Sequence, residues 1–239
     1  AYTLAQSSGQ SHETTFALVV ADTLGIAPDR IRVKQSPLGK VLIGNHTGGS
    51  RSMAGAGSIC KVAALKAIEE SRNLAAVELG VEPSQVEYAR GIFSARESGR
   101  SIGFDELAKR SSERGKPLAV LGEGSVGSTF PNGCHIAEVE IDPDTGMTDI
   151  VRYTAVDDTG TVVSHPVVEG QVHGAVMQGA GQVFGEQGVY DAASGQFLTG
   201  SFMDYYMPRA GMIRSMTVGD EPLPTKLNVL GAKGVGEAG

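Results

Sequence analysis

The sequence predicts an α+β fold, and three observations carry the prediction. Residues 9–24, "GQSHETTFALVVADTL", bury a helical stripe. Residues 134–156 hold two alternating runs joined by "DPDTG". Helical and strand-like segments do not alternate strictly along the chain, which argues against a doubly wound sheet.

In the first helix Phe16, Val19, Val20 and Leu24 fall at i, i+3, i+4 and i+8, and Gly25 stands where a helix would stop. "RIRVKQS" (30–36) alternates like a strand. The glycine and serine loop "GNHTGGSRSMAGAGS" (44–58) runs into a long helix over about 50–79. The first half of that helix is nearly all small residues, so another backbone can pack close. Residues 86–104 read as a strand pair with a turn near "ESGRS", and 104–114 as a short exposed helix ended by Gly115. From 117 to 160 the pattern is β: "PLAVLGEG", then "CHIAEVEI" and "MTDIVRYTAV" around the Asp-Pro-Asp-x-Gly turn. Pro166 marks a helix start, with the helix running to about 184, and short strands and loops fill 189–236. The whole of 1–239 is treated as one region, with possible subdomains at about 1–115 and 116–239.

Composition narrows function. At 41% hydrophobic and 20% charged residues the chain has ample material for a core and is not disordered. A net charge of −7 argues against a nucleic-acid surface, which normally carries a basic stripe. No apolar run reaches membrane-span length. Cys60 and Cys134 are far apart and form no CxxC, so they build neither a zinc knuckle nor a cysteine-ligated cluster. They are expected as buried thiols of a cytoplasmic protein. The chain opens on Ala1 rather than methionine and is expected to be a piece of a longer subunit.

Several motifs fail on context. "GEGSVG" (122–127) matches a dinucleotide fingerprint, but "STFPNG" follows where a helix is required. "SHETT" lacks the second histidine of a zinc helix, no metal-ligating set is predicted, and His135 reads as a structural histidine in a strand. Glycine-bracketed polar groups remain. "GQSH" (9–12) is echoed by "GQVH" (170–173). The glycines at 170, 174, 179 and 181 each cost ~1 kcal/mol relative to alanine in a helix, so close approach of a chain segment or ligand is expected there. "TGGSRS" (47–52) offers consecutive N–H groups, hydroxyls and Arg51 to an anion, and serves equally well as a loop that caps its own helix. "VGEAG" (235–239) presents Glu237 between glycines, either as a catalytic carboxylate or as an ordinary chain end.

Four ordered segments, "GQSHETTFALVVADTLGI", "TGGSRSMAGAGS", "GQVHGAVMQGAGQ" and "GAKGVGEAG", resemble the C-terminal part of the molybdopterin-binding large subunit of molybdenum hydroxylases. That family includes xanthine dehydrogenase, aldehyde oxidoreductase and aerobic carbon monoxide dehydrogenase. The resemblance implies that Gly9, Gln10, Ser11, His12 and Gln171 contact the pterin. It implies that Thr47, Gly48, Gly49, Ser50, Arg51 and Ser52 hold the phosphate end. Lys233, Gly234, Val235 and Gly236 would line the pterin and metal, with Glu237 as general base. The implied cofactor is molybdopterin with molybdenum, in the cytosine dinucleotide form, with FAD and iron–sulfur clusters on partner subunits. The implied reaction is oxidative hydroxylation of an aldehyde, an N-heterocycle or a similar small organic substrate, with water as oxygen source. Further partners would be the upstream half of the same subunit and the FAD and iron–sulfur subunits. The rival reading is a cofactor-free binding or scaffold domain. A hydrolase would need a serine or metal site that the motifs do not supply.

Overall fold

A computed structural model describes residues 1–35, 44 and 46–239. Ser36 of the expected strand and Asn45 of the expected loop lie outside these residues. Helices and small mixed sheets form an α+β architecture, as the sequence predicts. The chain divides into two compact units: residues 1–129 with 226–231, and residues 130–225 with 232–239.

In the first unit, α1 (His12–Leu24) buries the predicted stripe, with Phe16 fully enclosed, and ends on Gly25 in the left-handed region at φ 64°. The strand expected at 30–36 is much shorter. Pro28 opens a 3-10 turn over Pro28–Arg30, and only β2 (Lys34–Gln35) pairs, in parallel, with β1 (Tyr2–Thr3). The small-residue run after the 44–58 loop begins as a π-helical turn, Met53–Gly57, that feeds α2 (Ser58–Leu79). The predicted strand pair at 86–104 is a three-stranded antiparallel meander: β3 (Val86–Ala89), β4 (Ile92–Ala95) and β5 (Ser101–Gly103). The extra reversal is a two-residue turn at Arg90 (φ 49°) and Gly91 (φ 77°), a conformation suited to tight hairpins. Phe93 is fully buried between this sheet and α2, beside Leu79, Val86 and Leu107. Leu107 belongs to α3 (Phe104–Glu113), the predicted short helix, and Gly115 follows it at φ 75°.

"PLAVLGEG" is not a strand. It lies along α2, where a Cβ at Gly122 would come within 2.8 Å of Ala63 Cβ and Ile59 O, and Lys66 donates to the Leu121 carbonyl at 3.2 Å. The small residues of α2 admit this backbone, so its carbonyls face a helix instead of a sheet partner.

The second unit is built on the predicted hairpin of β6 (Asn132–Ile141) and β7 (Thr148–Asp158). Asp142 Oδ1 accepts the N–H groups of Asp144 (2.8 Å) and Thr145 (3.0 Å), which hold its carboxyl below the usual range, and Gly146 adopts φ 71°. α4 (His165–Phe184), with Pro166 in its first turn, leads back toward β8 (Met216–Asp220), which pairs in parallel with β7. A parallel pair needs such a crossover. Val172 and Val176 of α4 pack on Ile150 and Ala155 of β7 and on Ile213. β6 is an edge strand, and Ile136, Val139 and Ile141 on it are exposed.

The two cysteines differ, contrary to the expectation that both are buried. Burial pushes the Cys60 thiol up to about 11. Cys134, on the edge strand β6, is exposed.

Candidate functional site

The first unit contains a cavity of about 280 Å³ lined by Ala5, His46, Gly49, Arg51, Ser52, Ala54–Ala56 and Val126–Thr129. Two consecutive left-handed residues, Gly49 (φ 63°) and Ser50 (φ 50°), turn the loop into its helix. Ser50 adopts this conformation although side chains disfavour it. The first helical bond runs from Gly55 N–H to Arg51 O at 2.8 Å, so the N–H groups of residues 51–54 precede the ladder and form the positive end of a long helical run. A guanidinium, hydroxyls and such an end make a chemistry suited to an anion.

The "GQSH" segment is tied to the same loop. Gln6 O accepts from Gln10 Nε2 at 3.2 Å and from Thr47 Oγ1. Gln10 Oε1 receives the Ser8 N–H at 2.5 Å, so this amide braces residues 6–8. Gly9 (φ 104°) and Ser11 (φ 65°) make the sharp entry into α1. His12 is buried and stacked on Phe16 with ring centroids 4.7 Å apart. Its Nδ1 meets Ala5 O at 3.3 Å, while its Nε2 is buried without a hydrogen-bond partner. Burial lowers the pKa of this imidazole, against smaller raising effects from the Ala5 carbonyl and Glu13.

In the second unit Gln171 and His173 lie on α4, and His173 Nε2 is likewise buried without a partner. Each Gly-Gln-x-His motif therefore leaves one buried imidazole nitrogen unmatched, an arrangement that calls for an explanation in a folded protein. The α4 glycines divide by role. A Cβ on Gly179 would stand 3.4 Å from the backbone of Gly239, and one on Gly181 would stand 2.9 Å from Pro208 and from Glu186. Gly170 and Gly174 face open space.

The terminal segment is anchored through Lys233. Its N–H donates to Thr159 O at 2.8 Å and its ammonium pairs with Asp158. Val235 packs against the α4 core, Ala238 N–H reaches Val235 O at 3.2 Å, and Glu237 is exposed. Neither Gly234 nor Gly236 has a positive φ, so left-handed backbone is not what these glycines supply. Gly239 lies directly against the Ala175 and Val176 backbone, where a Cβ would overlap it.

The structure thus brings residues 9–12 and 47–52 together in one unit, and it holds Gln171 and residues 233–237 in the other. Sequence reasoning missed Val126–Thr129, His173 and Asp158. Val126 and Gly127 belong to the rejected fingerprint; they line the cavity with no helix following them. Both ring nitrogens of His135 are engaged, Nδ1 with Tyr153 Oη at 3.1 Å and Nε2 with Asp157 at 3.1 Å. This fits the structural reading. Among the described residues no histidine, cysteine and carboxylate group is arranged to hold a metal ion.

Comparison with known proteins identifies the family of the chain. The model of the molybdopterin cofactor-binding domain matches residues 1–214. The gamma subunit of the 6-hydroxypseudooxynicotine dehydrogenase complex of Paenarthrobacter nicotinovorans is 32% identical, over 98% of this chain and 30% of that protein. The carbon monoxide dehydrogenase large chain of Afipia carboxidovorans is also 32% identical, over 98% of this chain and 30% of its own length. A crystal structure of a Cu,Mo-CO dehydrogenase superposes with a TM-score of 0.84 at 31% identity, covering 99% of this chain and 31% of that one. The chain therefore spans about a third of the length of these relatives. On the family model and on the order of its motifs, the chain belongs to the molybdopterin cofactor-binding domain family of molybdenum hydroxylase large subunits.

Proposed function

We propose that this chain holds a molybdopterin cofactor and supplies the general base, Glu237, for oxidative hydroxylation of a small organic substrate. The observation that carries the reading is the cavity walled by Arg51, Ser52, Gly49 and Val126–Thr129 at the start of a helical run. The residues fit an anionic, polar cofactor: a cradle with donors at one end, in the same unit as the His12 ring nitrogen that is buried without a partner. When bound, the cofactor supplies the redox chemistry.

This chain's residues bind, orient and move a proton. Thr47–Ser52 grip the phosphate end, and Arg51 neutralises its charge. Gln10, whose amide braces its own loop, hydrogen-bonds the pterin from that loop, beside Gly9, Ser11 and His12. Gln171 does the same from α4. Lys233–Gly236 contribute backbone, since the Lys233 ammonium is already paired. Glu237 accepts the proton that activates water, the oxygen source. The cofactor is read as the cytosine dinucleotide form. The partners are read as the upstream half of the subunit plus FAD and iron–sulfur subunits, and the substrate as an aldehyde, an N-heterocycle or a similar small molecule. The protein is read as cytoplasmic, on two cysteines that are both free.

The test is Arg51→Glu in the complete enzyme. Reversing the charge at the cradle should lower molybdenum and released pterin nucleotide by about tenfold or more, the scale of losing a charged hydrogen bond. Unchanged cofactor content would overturn the assignment of the cradle.

A further inference from the structure

Asp158 ends β7, and one carboxylate there ties together three distant stretches of chain. Its Oδ1 accepts the N–H of Gly160 at 2.9 Å and the N–H of Leu223 at 2.9 Å. Its Oδ2 takes the ammonium of Lys233. The two side chains are only 15% and 10% exposed, so this pair is largely removed from water. The backbone repeats the connection beside it: Lys233 N–H meets Thr159 O at 2.8 Å, and Gly160 and Ala232 form an antiparallel bridge. Four residues further on stands Glu237. On its other side Gly239 is seated against the Ala175–Val176 backbone of α4. The turn that presents the carboxylate is pinned at both ends.

We propose that the Asp158–Lys233 ion pair is a positioning device that fixes the Glu237 turn for proton transfer. The proposal rests on Glu237 being the base. Its physical core is the asymmetry of a water-shielded ion pair. Intact, the pair contributes modest net stability, but removing one partner leaves the other charge stranded, and the chain moves to rehydrate it. Stranding Lys233 draws residues 232–234 away from β7, and Glu237 follows because only a short segment separates them. A base displaced by ~1 Å loses up to about 10²-fold in rate.

The experiment uses the complete enzyme and compares wild type with Asp158→Asn, Lys233→Met, Lys233→Arg and Glu237→Gln. Amide hydrogen exchange over 226–239, molybdenum content, and the pH profiles of kcat and kcat/KM are measured for each. With Asp158→Asn or Lys233→Met, exchange should rise in 232–238 while β7 and α4 keep their protection. The kcat should fall by about 10- to 10²-fold at unchanged KM, and the acid limb of the profile should shift. Lys233→Arg should restore both. Local exchange that rises while kcat and the profile stay unchanged would overturn the positioning role, as would unchanged exchange. If Asp158→Asn does not fold, Lys233→Met decides alone, since it keeps the aliphatic stem. Glu237→Gln separates the two readings. Unchanged turnover in that variant overturns the base and the positioning role together. Lost turnover there, with Asp158→Asn and Lys233→Met at full activity, overturns the positioning role alone.

Discussion

The two units of this chain treat their apolar surface differently. The first closes a conventional core: Phe16, Phe93 and Leu107 are completely or almost completely enclosed. The second covers one face of its sheet with α4 and leaves much else bare. Phe202 and Met203 are 85% and 92% exposed, Phe130 and Met147 are exposed too, and β6 offers an open edge. Exposed apolar area of this kind is free to pack against another surface, and an open strand edge is a liability until it is covered. The site elements follow the same split. The cradle of the first unit is shaped by left-handed backbone at Gly49 and Ser50. The Glu237 turn of the second unit is instead held by an ion pair and a close backbone seat. A unit with a large core can carry a strained loop. One with a thin core needs local anchors.

The comparison breaks most readily at Phe93. Phe93→Ala should remove about 3–5 kcal/mol from the first unit, as large core truncations do. Hydrogen exchange should show α2 and β3–β5 losing protection while the β6–β7 hairpin keeps it. Equal loss in both units would mean that they do not differ in the way described.

A smaller effect sharpens it from the second unit. Burial draws the Asp158 carboxyl upward, but Lys233 and the N–H groups of Leu223 and Gly160 outweigh it, and the net shift is downward. A carboxyl depressed in the folded state stabilises above its unfolded value, near 3.9, and that stability is lost as pH falls through the folded value. Acid titration below about pH 4 should therefore loosen residues 220–225 and 232–239 before α1 and α2. Exchange at graded pH checks the order; the reverse order would contradict it.

The smallest effect concerns the bare surface. Replacing Phe202 and Met203 together by serine should leave stability within about 0.5 kcal/mol, because neither side chain is packed. Self-association of the chain, measured by light scattering, should fall. A melting temperature lowered by several degrees would show that the patch is internal support rather than a surface.

What could be read from the sequence was what is local. The α1 stripe, the Asp142 turn and the Pro166 start each rest on neighbours within one or two turns, and each is found where expected. The Arg90–Gly91 reversal was missed because it carries no asparagine or aspartate signal. "PLAVLGEG" was misread because its partner is a helix face more than fifty residues upstream. The left-handed turn at Gly49 was legible from the glycines of 47–52. His173 was not, since an unmatched nitrogen shows only when its surroundings are built. Asp158 was invisible for a stronger reason. Its partners Leu223 and Lys233 lie 65 and 75 residues away, and nothing beside it in the chain announces them.

The π-helical turn at Met53–Gly57 carries a consequence for how this protein can vary. A π-turn is an α-helix holding one residue more than its pitch allows. Deleting one residue there would let α2 continue as a regular α-helix, and both flanks would keep close to their present phase because the wide turn already absorbs the surplus residue. Deleting one residue from the regular part of α2 instead would rotate everything upstream by about 100° around the axis and advance it by about 1.5 Å. Arg51 and Ser52 would then swing away from the cavity although no residue of the loop had changed. The π-turn is therefore a place where this helix can change length without changing the bearing of its loop.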